Sequence, residues 1–151
     1  MDETSVEVDA TPAQAWALIS DITRVGEWSP ECTGGAWKGG ATGPAAGARF
    51  VGRNRHGRIR WTTHCRVVTC EPERAFAFTV LESAMTWGYR IEPVAGGVRL
   101  VQWRDRTGAL AVPAKLLAAS GILGRDRETM MIDGMRTTLD RIKAELERTP
   151  A

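Results

Sequence analysis

The stretch Arg49-Phe50-Val51-Gly52-Arg53-Asn54-Arg55-His56-Gly57-Arg58-Ile59-Arg60-Trp61-Thr62-Thr63-His64-Cys65-Arg66-Val67 reads as two strands and a turn. Phe50, Gly52 and Asn54 fall on one side of the first strand, Arg49, Val51, Arg53 and Arg55 on the other. His56-Gly57 makes the turn, and the returning strand sets Ile59, Trp61, Thr63, Cys65 and Val67 opposite Arg58, Arg60, Thr62, His64 and Arg66. Because successive side chains point to opposite faces of a strand, this alternation predicts a hairpin with one largely apolar face and one basic face. The apolar face has to be buried against another element.

Downstream the pattern repeats. Glu71-Pro72-Glu73-Arg74 is a turn, Phe76, Phe78 and Val80 share one face of the next strand, and Met85, Trp87, Tyr89 and Ile91 share one face of the strand that stops at Pro93. Ala95-Gly96-Gly97 is a tight turn before a strand with Val98, Leu100, Gln102 and Arg104 on one face and Arg99, Val101, Trp103 and Asp105 on the other. Alternation leaves both faces of this strand open as the inward one; the Leu100 face is favoured, because it continues apolar and Arg99 opposite belongs in water. Upstream, Gly39 to Gly47 is a loop, and Cys32 to Lys38 a strand weakened by Gly34 and Gly35. The chain opens on a strand, Thr4 to Asp9. A helix follows, for which Thr11-Pro12-Ala13-Gln14 is a capping box and Ala15, Trp16 and Ile19 the buried face. A short helical turn over Asp21 to Gly26 is ended by Trp28-Ser29-Pro30.

The longest helical signal comes last. Met131, Met135, Leu139, Ile142 and Leu146 recur at spacings of four and three, with most charges elsewhere on the wheel. One strand, two short helices, about six further strands and one long amphipathic helix make an α+β domain, with that helix the natural cover for a curved antiparallel sheet of about seven strands. With 151 residues and no internal repeat or linker, residues 1–151 form a single domain. Apolar residues at 43% and charged residues at 25% are ordinary for a globular protein, and a formal charge of +2 gives no general pull toward nucleic acid or anionic lipid.

Three cysteines, Cys32, Cys65 and Cys70, without CxxC spacing argue against a disulfide framework and against a zinc site, so no metal and no cofactor is expected. Met1 to Thr4 carries no basic region leading into an apolar stretch, so no signal peptide is read and the cytoplasm is the expected compartment. Ala109 to Gly124 holds only Lys115 as a charge but is too short for a membrane span of roughly 20 residues. Its Leu110, Val112, Leu116, Leu117, Ile122 and Leu123 are read as a lid or as a homodimer contact.

The passages Val8 to Trp16, Asp21 to Pro30, the Gly43 to Phe50 loop, Val68 to Phe78 with Glu71-Pro72, and Trp87-Gly88-Tyr89-Arg90-Ile91-Glu92-Pro93 followed by Gly96-Gly97 together resemble the START-like superfamily, in its polyketide cyclase/dehydrase (SRPBCC) branch. That resemblance covers nearly the whole chain. It implies a helix-grip fold with a deep cavity between sheet and final helix, but no single reaction, since the superfamily includes carriers, receptors and cyclases. Function has to be argued from the site.

Alternation places Phe50, Asn54, Trp61, Thr63, Phe78, Trp87, Tyr89, Leu100, Gln102 and Arg104 inward, closed by Met131 and Met135, as a pocket for a small hydrophobic or aromatic ligand. Apolar members serve equally as core. The polar ones are more telling, because a buried amide or guanidinium needs a partner: another side chain, a water or a ligand group. Arg104 facing a cavity favours an acidic or enolic ligand, and Tyr89 could donate a proton to an enolate; these two are the candidate catalytic groups. His64 falls on the outward face and His56 in a turn, and no Ser-His-Asp, HExxH or P-loop pattern exists. The hairpin arginines are read as a solvated outer face, with phosphate binding the other reading. Three functions are consistent: a binder or carrier of a small hydrophobic molecule, a polyketide cyclase, aromatase or dehydratase that pre-folds its substrate, and a regulatory protein-interaction module.

Overall fold

A computed structural model describes residues 1–106 and 125–148. The elements in order are β1 (Asp2–Val8), α1 (Pro12–Ile19), a 3₁₀ turn (Ile22–Glu27), β2 (Cys32–Lys38), β3 (Arg49–His56), β4 (Ile59–Glu71), β5 (Ala75–Val80), β6 (Met85–Val94), β7 (Gly97–Arg106) and α2 (Arg125–Arg148). The strands form one antiparallel sheet in the order β1-β7-β6-β5-β4-β3-β2. Every connection from β2 to β7 is therefore between neighbours. The first strand crosses to the far edge, beside β7, as the helices α1 and 3₁₀ carry the chain from one edge to the other. The curved sheet with its C-terminal helix is the helix-grip fold.

Local chemistry accounts for most boundaries. Thr11 accepts from the Gln14 backbone N–H and the Gln14 side chain accepts from the Thr11 backbone N–H, so the capping box is complete. Asp21 caps the 3₁₀ turn by accepting from the Thr23 N–H. Gly57, at φ +61°, closes the β3–β4 hairpin with a backbone that a side chain would strain. The first strand runs Asp2 to Val8 and not Thr4 to Asp9, because Asp2 and Glu3 pair with Arg104 and Trp103 and so extend the ladder, while the Asp9 N–H leaves it for the Glu147 carboxylate. Likewise the turn before β7 is only Ala95–Gly96, since Gly97 already pairs with Val94.

The buried stripe of α2 is Met135, Thr138, Leu139, Ile142 and Leu146. Its Leu139, Ile142 and Leu146 meet Val98, Leu100, Ile91 and Val8 from the sheet and Ala15 and Ile19 from α1 in one core. Val98 and Leu100 are fully buried, which fixes that face of β7 inward. The convex face is not uniformly wet, however: Ala77 and Val101 are also buried. The Trp103 ring lies over Gly88 there, so close that an added Cβ would come within 2.3 Å of it. Gly134 of α2 faces Pro30, whose Cγ would sit in ordinary van der Waals contact, 3.4 Å, with a Cβ at that position. The segment 109–124, read from sequence as lid or dimer contact, lies outside the described residues.

Candidate functional site

The concave side of the sheet divides into two halves of different chemistry. In the first, Trp16 of α1 meets Phe76 edge to face at 6.1 Å between ring centroids, Phe76 lies 6.2 Å from Phe78, Phe78 5.1 Å from Phe50, and Phe50 5.6 Å from Trp37. These rings stand on α1, β5, β3 and β2, and Phe50 and Phe76 share one buried cluster with Leu139, Ile142 and Leu146 of α2. Edge-to-face contacts of this kind add to ordinary apolar burial. Phe50, Phe78 and Leu100 of the sequence-derived pocket belong to this packed half.

The second half lies toward the β3–β4 turn and is polar. Registers set Gln102 beside Tyr89 and Arg104 beside Trp87 on β7 and β6, and Asn54 beside Trp61 on β3 and β4. Tyr89 and Gln102 are both buried, and the Gln102 Nε2 donates to the Tyr89 hydroxyl at 3.3 Å. Burial, with a smaller push from the nearby Cys32 thiol, drives the Tyr89 ionisation upward, so the hydroxyl keeps its proton. The other end of the same amide, Gln102 Oε1, is buried with no hydrogen-bond partner among the described residues. An orphaned amide oxygen is costly in a folded interior and calls for an explanation.

Arg104 is buried but neutralised: its Nε donates to Asp2 Oδ2 at 2.8 Å, and its guanidinium carbon stands 5.7 Å from the Trp87 ring centroid. Asp2 is the residue that sequence reasoning missed, because only the β1–β7 register brings it to Arg104. Asn54 Nδ2 donates to Thr63 Oγ1 at 3.2 Å, so this pair satisfies itself across the hairpin. Cys65 is buried, and desolvation pushes its thiol up to about 12, far from a reactive thiolate. Met135 is buried and Met131 half-buried, while Met130 faces solvent. His64 is exposed on the outer face, its Nδ1 2.5 Å from Glu82. Thus of the twelve sequence-derived pocket residues, Tyr89, Gln102, Arg104 and Trp87 converge on adjacent strands, Asn54, Thr63 and Trp61 lie across the hairpin, and the remainder are shared with the core or α2. Among the described residues no group of His, Cys, Asp and Glu is arranged to hold a metal, and no helix is long and apolar enough to cross a membrane.

Comparisons with known proteins agree with this architecture. The family model described as polyketide cyclase / dehydrase and lipid transport matches residues 3–147. The solution structure of the Polyketide_cyc-like protein Cgl2372 from Corynebacterium glutamicum is 33% identical, with a TM-score of 0.66 over 97% of this chain and 90% of that one. Protein MLL2253 from Mesorhizobium loti is 15% identical with a TM-score of 0.71, over 99% and 98% of the two chains. The di-domain ARO/CYC StfQ from the steffimycin biosynthetic pathway is 15% identical with a TM-score of 0.74, over 97% of this chain and 50% of that one. At such identities the last two speak for the fold alone. No curated protein matches the chain.

Proposed function

We propose that this chain, which belongs to the polyketide cyclase / dehydrase and lipid transport family, encloses a small, largely apolar molecule between sheet and α2 and anchors its one polar end on Tyr89 and Gln102. The observation that carries this reading is the buried, unpartnered Gln102 Oε1 beside a hydroxyl that burial keeps protonated. A ligand group that donates to the amide oxygen and accepts from the phenol, such as a hydroxyl or an enol, would satisfy both at once. Arg104 is already matched by Asp2, so its charge places no demand for an acidic ligand. Trp87, two residues along β6 from Tyr89, supplies apolar wall close by.

Native mass spectrometry of freshly purified protein tests this. A co-purifying molecule that is lost in the Gln102→Leu/Tyr89→Phe double variant supports it; a bare chain, or one carrying a stoichiometric protein partner instead, overturns it.

The same hydroxyl supports a catalytic reading. A protonated Tyr89 held by Gln102 could protonate an enolate while the interior pre-folds a polyketide-like substrate, which is the chemistry of a cyclase, aromatase or dehydratase. Under that reading Tyr89→Phe and Arg104→Ala each depress turnover of a genuine substrate, and unchanged turnover in both removes the assigned roles.

A further inference from the structure

The end of the β3–β4 hairpin stands apart from the rest of the sheet. On one side the last β2 contacts are Cys32 opposite Asn54 and the Arg55 N–H donating to the Glu31 carbonyl; on the other they are Val80 opposite Cys65 and the Leu81 N–H donating to the His64 carbonyl. Beyond these points no described strand flanks the ribbon. It is also the most cationic part of the chain: residues 49–66 contain six arginines and no Asp or Glu, in a protein whose formal charge is only +2. Arg55 and Arg60 are direct cross-strand partners, and like charges in that position destabilise a sheet. Among the described residues no carboxylate pairs with Arg53, Arg55, Arg58 or Arg60.

These arginines border an open cleft of about 480 Å³ lined by Thr33, Arg53, Asn54, Arg55, Arg60, Trp61 and Thr62. Two of the guanidinium groups are placed by the fold. Arg53 rests on Gly34, where a Cβ would come within 2.9 Å of its Nη2, and the Thr33 hydroxyl donates to the Arg53 carbonyl. Arg55 gives its Nε to the Gly57 carbonyl at 2.9 Å. We propose that this cleft is a binding site for a phosphate-type oxyanion, distinct from the interior site and independent of it. Three guanidinium forks suit an oxyanion with several acceptor oxygens, because each N–H···O⁻ bond is charge-assisted and two can run in parallel. The charge that the Arg55–Arg60 pair repels in the free protein is what the anion would neutralise.

The test is titration of the ¹⁵N-labelled full chain with inorganic pyrophosphate at low salt, followed by amide shifts. The expected result is saturable binding with shifts gathered at Thr33, Arg53 to Arg55 and Arg60 to Thr62. Loss of one charged hydrogen bond weakens binding about tenfold or more, so Arg53→Ala and Arg60→Ala should each do so. Gly34→Ala, which displaces the Arg53 head without removing any charge, should weaken it too, and Arg99→Ala, on the far side of the sheet, should not. Vesicles of phosphatidylcholine with and without phosphatidylglycerol separate the sources: capture by the anionic vesicles without pyrophosphate saturation identifies a bilayer headgroup, and saturation without capture identifies a soluble phosphate. Equal affinity in parent and variants, shifts spread evenly to Lys38, Arg49 and Arg66, or binding only to a single-stranded oligonucleotide would each overturn the proposal.

Discussion

Replacing Gln102 and Tyr89 together by Leu and Phe should stabilise the ligand-free protein while abolishing what it binds. In the parent, Gln102 Oε1 is buried without a donor, which costs about 1–3 kcal/mol relative to a satisfied group. The Nε2–hydroxyl bond to Tyr89, at 3.3 Å, returns roughly 1 kcal/mol at most. The double variant removes the orphan and the bond at once and fills nearly the same volume with apolar atoms, so the net gain is about 0–2 kcal/mol. For a chain of 151 residues that corresponds to a rise in Tm of up to about 8 °C. Gln102→Leu alone should gain less, because it leaves the Tyr89 hydroxyl without its partner. Urea denaturation and calorimetry on ligand-stripped protein read the effect directly. A double variant less stable than the parent by 1 kcal/mol or more would show that the amide oxygen is satisfied in solution, and the anchoring role would go with it.

Three other outcomes follow from the geometry. Asp2→Ala removes the carboxylate 2.8 Å from the buried Arg104 Nε and should cost about 1–2 kcal/mol, a figure discounted because Asp2 is 38% exposed, whereas Arg104→Met should be close to neutral in urea melts; the reverse order would refute this account of the pair. Gly88→Ala drives a methyl into the Trp103 ring and should cost about 1–3 kcal/mol by overpacking, and most of that loss should vanish in a Trp103→Ala background; an additive double variant would mean the two do not touch. The Asp9 N–H and then Lys143 hold the Glu147 carboxyl below its ordinary 4.5. Its contribution to stability is therefore present above that value and lost as pH falls through the lower folded-state value, so Glu147→Gln should lower Tm at neutral pH and converge with the parent in acid. Parallel Tm curves at all pH values would contradict it.

Much of the architecture could be read from residue order because each signal was local. Alternation in 49–67 gives the hairpin and correctly leaves His64 outside; the Thr11 box starts α1; the four-three spacing of Met135, Leu139, Ile142 and Leu146 gives the face of α2. The site was legible only as parity. Tyr89, Gln102 and Arg104 share the inward face, but their partners depend on registers between segments far apart in the chain. Asp2 and Arg104 are 102 positions apart, and nothing near either residue announces the other. The convex-face burial of Ala77 escaped for a similar reason: it stands opposite Gly88, over which the Trp103 ring from the next strand lies. The isolation of the basic ribbon depends on where β2 and β5 stop, which propensity does not dictate.

The two unlike halves of the interior also bear on how such a molecule can change over generations. The ring cluster, which takes in Tyr89 itself, holds the chain together, while the Gln102 amide oxygen beside it adds nothing to that cohesion. Under the proposed function, substitutions of that amide are filtered by what the protein is asked to hold, and those of the rings by whether it folds at all.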